Sequence, residues 1–426
     1  MNRSFCVHLH RYAGLMMALF LIIIGLTGSI IAFYEEIDDW LNPLSSHRHT
    51  HIAVQEKPLL DPFDLCDRAL RLTPHARITN VDLNPKQDEA YTVALEPRID
   101  PATGKPYPLG FSTLKLNPYT GDEVENSRNI NSYEQNGYFP LTRKNVLDFI
   151  YALHCQLALG ETGALLFGII AVAWTLDCFV GFYLTLPKRR PKHLATKGQQ
   201  VSVANSSSFW QRWKPAWQIK RNASAFRLNY DLHRAFGLWT WAMLFIFAWS
   251  SVMFMLPEVY EPIMKLLFQT APEQSPSPEP PTPSFVPIAE FRKAQVIAKQ
   301  LMAEQAKLHQ FTVMRETAIQ YDEATVSFNY YVASDRDISG QVGQTYISVN
   351  ANTGKLVWLG PLATGEYSGL TIGNWLRTLH MASIWGLAYK LFVCFMGLVI
   401  AMLSVTGIYI WYKKHRAARL KRKVLI

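Results

Sequence analysis

Four apolar runs, 13–33, 163–186, 235–256 and 391–412, constrain this chain more than any other feature. Each is 21 to 24 residues long, and together they hold one formal charge, Asp177. At about 1.5 Å of rise per residue, each is long enough to cross a hydrocarbon layer of roughly 30 Å as a helix. The fold class that follows is a membrane protein, mainly α, with four transmembrane helices. The first run sits behind a short basic N-terminus, as a signal peptide would. Its apolar stretch is about twice the usual length for such a peptide, and no small-residue cleavage site follows. The acidic Glu35-Glu36-Ile37-Asp38-Asp39 comes next, so the run reads as a retained helix.

Charge sets the expected orientation. Residues 187–230 contain ten Lys or Arg and residues 413–426 contain seven, with no Asp or Glu in either segment. By the positive-inside rule both are cytoplasmic, and so is the N-terminus with Arg3 and Arg11. Basic side chains here report topology, not nucleic acid. The segments 34–146 and 257–373, which hold nearly every acid, then lie on the far side, the periplasm of a bacterial inner membrane. Cys6, Cys155, Cys178 and Cys394 fall in or near apolar runs, leaving Cys66 alone outside them. The absence of CxxC argues against zinc ribbons and thioredoxin-like chemistry, and the absence of CxxCH excludes covalent c-type haem.

The chain also repeats itself. Leu9-His10-Arg11-Tyr12-Ala13-Gly14-Leu15 is echoed by Leu232-His233-Arg234-Ala235-Phe236-Gly237-Leu238. His154 is followed by Gly160 and Gly181 at the distances that separate His380 from Gly386 and Gly407. Each half reads as helix, external domain, short His-bearing helix, helix. A single interfacial histidine is as readily structural as ligating. Four at duplicated positions beside apolar runs favour axial ligation of haem iron by neutral imidazole, with His10 and His233 on the cytoplasmic side and His154 and His380 on the periplasmic side. Gly14, Gly237, Gly160, Gly163 and Gly386 would admit either a flat macrocycle or a neighbouring helix.

Other candidates carry open alternatives. Arg11 and Arg234 would pair with haem propionates. Asp177 would meet a propionate through a cation, relay protons, or simply hydrogen-bond to Ser, Thr or Trp on a neighbouring helix. Glu35 and Glu258, each 25 residues after its histidine, would orient a substrate or stand as solvated helix ends. His8 is a surface alternative to His10, and the strip at His47, His49 and His51 is a transient metal site or a solvated loop.

The local pattern predicts short helices over 61–72 and 288–308, and strands over 91–95, 112–116, 324–332 and 345–349. Asn117-Pro118-Tyr119-Thr120-Gly121 and Asn350-Ala351-Asn352-Thr353-Gly354 predict tight turns. Residues 272–287, with their prolines, predict a stiff spacer, and 209–217 mixes aromatics with cations as a headgroup-layer segment does. A helix over 145–186 would be about 63 Å long, so a break is predicted at Gly160-Glu161-Thr162-Gly163. Another is predicted at Ile384-Trp385-Gly386-Leu387. The resulting plan is 1–34 helix 1, 35–145 first periplasmic domain, 146–186 short helix and helix 2, and 187–230 cytoplasmic loop. It continues with 231–257 helix 3, 258–370 second periplasmic domain, 371–413 short helix and helix 4, and 414–426 tail.

The two LHRxxGL helix starts, the two LHxxxxxG entries and the paired N-x-x-T-G turns resemble the PepSY-associated transmembrane family, which includes iron-regulated membrane proteins and ferric-siderophore reductases. The resemblance covers almost the whole chain. It implies four transmembrane helices in two repeats, two α+β PepSY-like periplasmic domains, two b-type haems and reduction of siderophore-bound iron. No GxGxxG, P-loop or flavin signature is present, so the electron donor is expected to be a separate cytoplasmic protein or a quinol. The rival readings are a siderophore permease and a PepSY-type regulatory protein that binds a protein partner. The oligomeric state is not legible.

Overall fold

The computed structural model describes residues 2–42, 50–124, 138–188, 208–272, 286–338 and 343–424. In chain order its helices are α1 (Arg3–Ile31), α2 (Tyr34–Leu41), α3 (Pro62–Leu72), α4 (Val146–Gln156), α5 (Glu161–Thr185), α6 (Phe209–Trp213), α7 (Ala225–Trp239), α8 (Trp241–Met255), α9 (Pro257–Leu267), α10 (Ile288–Leu308), α11 (Ser368–His380) and α12 (Gly386–Val424). The strands are β1 (Ala76–Arg77), β2 (Asn80–Asp82), β3 (Tyr91–Ala94), β4 (Glu96–Pro97), β5 (Thr113–Leu116), β6 (Val313–Asp322), β7 (Ser327–Ser334), β8 (Thr345–Asn350) and β9 (Leu356–Leu359). They form two compact units, one of 1–33, 149–263 and 379–426, the other of 34–148 and 264–378.

In the first unit α1, α5 and α12 are each long and apolar enough to cross a membrane. The third run differs from its prediction as one helix within 231–257: α7 and α8 meet at a 69° bend and qualify only as a pair. The break is Thr240, whose φ of −103° and ψ of 6° leave the helical region. Its hydroxyl donates back to the Phe236 carbonyl at 2.7 Å, beside its own N–H at 3.0 Å. The Trp241 indole donates to the Cys178 carbonyl of α5 at 2.9 Å, fixing the far side of the bend.

The interior of this unit comes from all four runs: Met17 and Leu21 of α1, Phe167 and Trp174 of α5, Leu244 and Phe247 of α8, Met396 and Ile400 of α12. Small residues set the approach of α1 to α12. A Cβ on Gly25 would stand 2.6 Å from the Gly397 carbonyl oxygen, and Ser29 donates to the Cys394 carbonyl at 2.8 Å. Close backbone approach through small residues is how helices associate where lipid offers no hydrophobic drive. On α6, Trp213 is buried with its indole on the Thr185 hydroxyl, while Trp210 is exposed.

Both predicted helix breaks are present. Between α4 and α5 the backbone turns left-handed at Leu157, Ala158 and Gly160, slightly earlier than predicted. Gly163 packs on the Gln156 carbonyl instead of opening the helix. Between α11 and α12 the same excursion occurs at Ala382, Trp385 and Gly386.

The second unit corrects the expectation of two separate α+β domains over 35–145 and 258–370. Strand β2 of the first segment pairs antiparallel with β6 of the second, with Val81 opposite Ile319, and heads a five-stranded sheet of order β2-β6-β7-β8-β9. The core is shared too: Phe63, Leu65, Leu114 and Leu116 pack in one cluster with Phe291, Ile319, Tyr330 and Ile347. Alone, the first segment has only the two-stranded pairs β1–β4 and β3–β5 among its described residues, and such pairs are marginal in water. The second would leave β6 as a bare edge.

Local structure follows the sequence closely here. Asp61 caps α3, and α10 spans 288–308. Both turns form alike: the Asn117 and Asn350 side chains accept from backbone N–H groups two and three residues on, and Gly121 and Gly354 take φ of 70° and 67°. The strand predicted at 324–332 lies at 327–334, because Asp322 caps a turn through the Ala324 N–H. Most of the spacer over 272–287, with His47, His49 and His193, lies outside the described residues.

Candidate functional site

Four imidazoles in the first unit form two pairs. The His10 and His233 rings have centres 6.1 Å apart at 62°, and those of His154 and His380 are 6.4 Å apart at 70°. A first-row metal sits about 2.0–2.1 Å from an imidazole nitrogen, so with the ring's own radius two imidazoles opposed across one ion have centres roughly 6.3 Å apart. Both pairs fit that span. His154 rests against Ile24 and Thr27 of α1, some 14 to 17 residues beyond His10, which places the two pairs about 21–25 Å apart along that helix.

Hydrogen bonding fixes which nitrogen is protonated. His154 Nδ1 lies 3.1 Å from both the Ile24 carbonyl and Thr27 Oγ1. His233 Nδ1 lies 3.0 Å from the Leu403 carbonyl and from Thr406 Oγ1, and His380 Nδ1 lies 2.6 Å from Ser250 Oγ. The hydroxyls of Thr27, Ser250 and Thr406 already donate to helix carbonyls four residues back, so they accept from the rings. His10 Nδ1 lies 2.9 Å from each oxygen of the Asp177 carboxylate. In every case Nδ1 carries the proton, which leaves the Nε2 lone pair to bind a metal. Such outer hydrogen bonds are what orient ligating histidines.

Glycines make room for these rings. A Cβ on Gly28 would come 2.9 Å from His154 Cε1, one on Gly407 3.3 Å from His233 Cε1, and one on Gly181 3.5 Å from His10 Cε1. Of these, Gly181 and Gly407 belong to the repeat read from sequence, while the space beside Gly14, Gly160 and Gly386 is open, with nothing within 4 Å of a Cβ there. Among the described residues no group of three or more His, Cys, Asp or Glu side chains forms a metal cluster. Each pair thus offers two neighbouring imidazoles at a centre-to-centre distance that could hold one metal ion between them, such as a haem iron.

The remaining candidates separate clearly. Arg234 is held by the fully buried Asp231 at 3.0 Å and by the Pro215 carbonyl. Arg11 is half-buried one residue from His10. His8 is exposed, bound to the Ser4 carbonyl at 2.8 Å and stacked on Tyr12, so it takes no part in a pair. Glu35 and Glu258 are exposed at the starts of α2 and α9, and His51 is exposed in an isolated bridge with Glu89. Sequence reasoning missed the link from Asp177 to His10 and the hydroxyls beneath the other rings. One signal was available: Thr27 and Ser250 each stand 17 residues after the histidine of their LHR motif.

The second unit offers a polar cleft of about 330 Å³ lined by Arg77, Glu96, Asp322, Glu323 and Asn329. Arg77 bridges Glu96 at 2.8 Å and Glu323, so its charge is spent inside the cleft. Cys66 is 1% exposed beside Tyr91, and burial pushes its thiol up to about 12, which keeps it protonated and inert.

A search of curated proteins returned no match. The family model described as the PepSY-associated TM region matches residues 7–414, a span that includes all four paired histidines. The chain therefore belongs to the PepSY-associated transmembrane family.

Proposed function

We propose that the protein holds two b-type haems, one between His10 and His233 and one between His154 and His380, and passes electrons across a bacterial inner membrane to reduce ferric siderophore iron. The observation that supports this most is the paired imidazole spacing of 6.1 and 6.4 Å, repeated at two depths of α1 with the hydrogen bonds on Nδ1 each time. Haem bound there supplies reversible one-electron chemistry. The chain's own groups hold each imidazole in one tautomer and surround it with the apolar interior of the first unit. Arg11, one residue from His10, would meet a propionate, while Arg234 would do so only by leaving Asp231 and the Pro215 carbonyl.

The basic segments 187–230 and 413–426 favour cytoplasmic termini, so His10 and His233 serve the cytoplasmic side and His154 and His380 the periplasmic side. The donor is a reduced cytoplasmic protein or a quinol. The ferric chelate is the substrate, gaining one electron per iron as an oxidoreductase reaction requires.

Purified protein from haem-replete cells is expected to give reduced b-type bands at two haems per chain. His10→Ala or His233→Ala should remove one haem, and His154→Ala or His380→Ala the other. A wild-type preparation without those bands would sink the reading. A permease is the second reading, favoured by the bend at Thr240, since transporters bind at interrupted helices. Uptake of labelled chelate into vesicles, undiminished by His380→Ala, would select it.

A further inference from the structure

The two histidine pairs are not chemically alike. Three of the four Nδ1–H groups meet neutral acceptors: a carbonyl and a hydroxyl at His154, the same at His233, and a hydroxyl at His380. His10 alone meets a carboxylate, through both oxygens of Asp177. The repeat makes the contrast sharper. Asp177 stands 23 residues after His154, and Leu403 stands 23 after His380. Leu403 is the residue whose carbonyl takes the His233 proton. A backbone group at the equivalent place therefore suffices to orient a ring, and the chain instead places a charge there.

That charge is costly. The Asp177 side chain is 11% exposed within α5, and a carboxylate inside a membrane helix is costly to bury. Orientation alone does not account for the cost, because the neutral sites achieve it. A carboxylate accepting from Nδ1–H does one further thing: it raises the basicity of Nε2 and places negative charge near the metal, which favours the more highly charged ion.

We infer that Asp177 is a positioning residue that holds the redox potential of the His10/His233 centre below that of the His154/His380 centre. The inference rests on the haem reading above. It concerns the chain's own asymmetry, which that reading does not require.

The test is a spectroelectrochemical titration of the full-length, haem-loaded protein. The His154→Ala background leaves only the His10/His233 centre in view, and so assigns the potentials. Asp177→Asn keeps an acceptor of the same shape and removes the charge. Its expected effect is a roughly tenfold loss of preference for ferric over ferrous iron at that centre, the low end of what altering an outer partner does to a metal site. For one electron that is a rise of about 59 mV, with the other centre unmoved. Asp177→Glu should restore the lower potential. An unchanged potential in Asp177→Asn, or an equal shift of both centres, overturns the inference while leaving two haems in place. Should Asp177→Asn lose the centre, Asp177→Glu decides. Retention with the wild-type potential supports the role of charge, and loss overturns it. Absence of haem from the wild type fails the parent reading instead, and is seen before any substitution is made.

Discussion

Thr27 and Ser250 perform one task at matching places in the repeat, yet they are not equally indispensable. The His154 Nδ1–H has a second acceptor in the Ile24 carbonyl at 3.1 Å, whereas His380 has only the Ser250 hydroxyl among the described contacts. Removing Thr27 leaves one hydrogen bond, while removing Ser250 orphans a buried donor, at a cost of about 1–3 kcal/mol. Thr27→Val is therefore expected to keep its haem with a modest rise in dissociation rate. Ser250→Ala should weaken retention about 10- to 100-fold, the range seen when an outer partner of a metal ligand is lost. Haem transfer to an excess of apomyoglobin measures both rates. Equal rates for the two variants would show that the hydroxyls do not orient the rings.

Among the elements, α1 does the most to position the site, because it carries His10, the acceptors for His154 and the two glycines that let neighbours approach. Gly25 permits contact with α12, and Gly28 permits contact with the His154 ring. Gly28→Ala would bring a methyl to 2.9 Å from Cε1, and the ring is pinned from behind by Thr27 and Ile24. That variant should lower occupancy of the His154/His380 centre and leave the His10/His233 centre full, as haem-to-protein ratios in single-centre backgrounds would report. Full occupancy of both would mean that the ring gives way.

Much at this scale was legible beforehand. The four runs, both breaks before α5 and α12, and both Asn-to-Gly turns came from spacing and composition alone. The bend at Thr240 was not, because Gly237 reads as one more small residue of the LHRxxGL motif and the Trp residues on either side of Thr240 read as apolar continuity. The Asp177 contact was equally hidden, since it joins side chains 167 residues apart on separate helices.

At the scale of the whole molecule, the chain leaves the first unit twice and builds one second unit from both excursions. Sequence order hides this, since β6 carries Arg315 and Glu316 among its apolar residues and does not alternate cleanly, and β2 is three residues long. Their pairing nonetheless joins Val81 to Ile319, both 0% exposed, and ties the first segment to the second across more than 200 residues. Such long-range pairing is slow to form and leaves strand edges open until it does. A fragment of residues 286–367 alone should accordingly expose β6 and the core face of α10. It is expected to be aggregation-prone or poorly dispersed by NMR, and to become ordered when residues 50–124 are supplied in the same tube. Ile319→Ala in the full chain should cost about 2–5 kcal/mol, with faster hydrogen exchange appearing in β2 as well as β6. A monomeric, well-dispersed 286–367 fragment would show instead that the second segment is a domain in its own right and that β2 is merely appended to it.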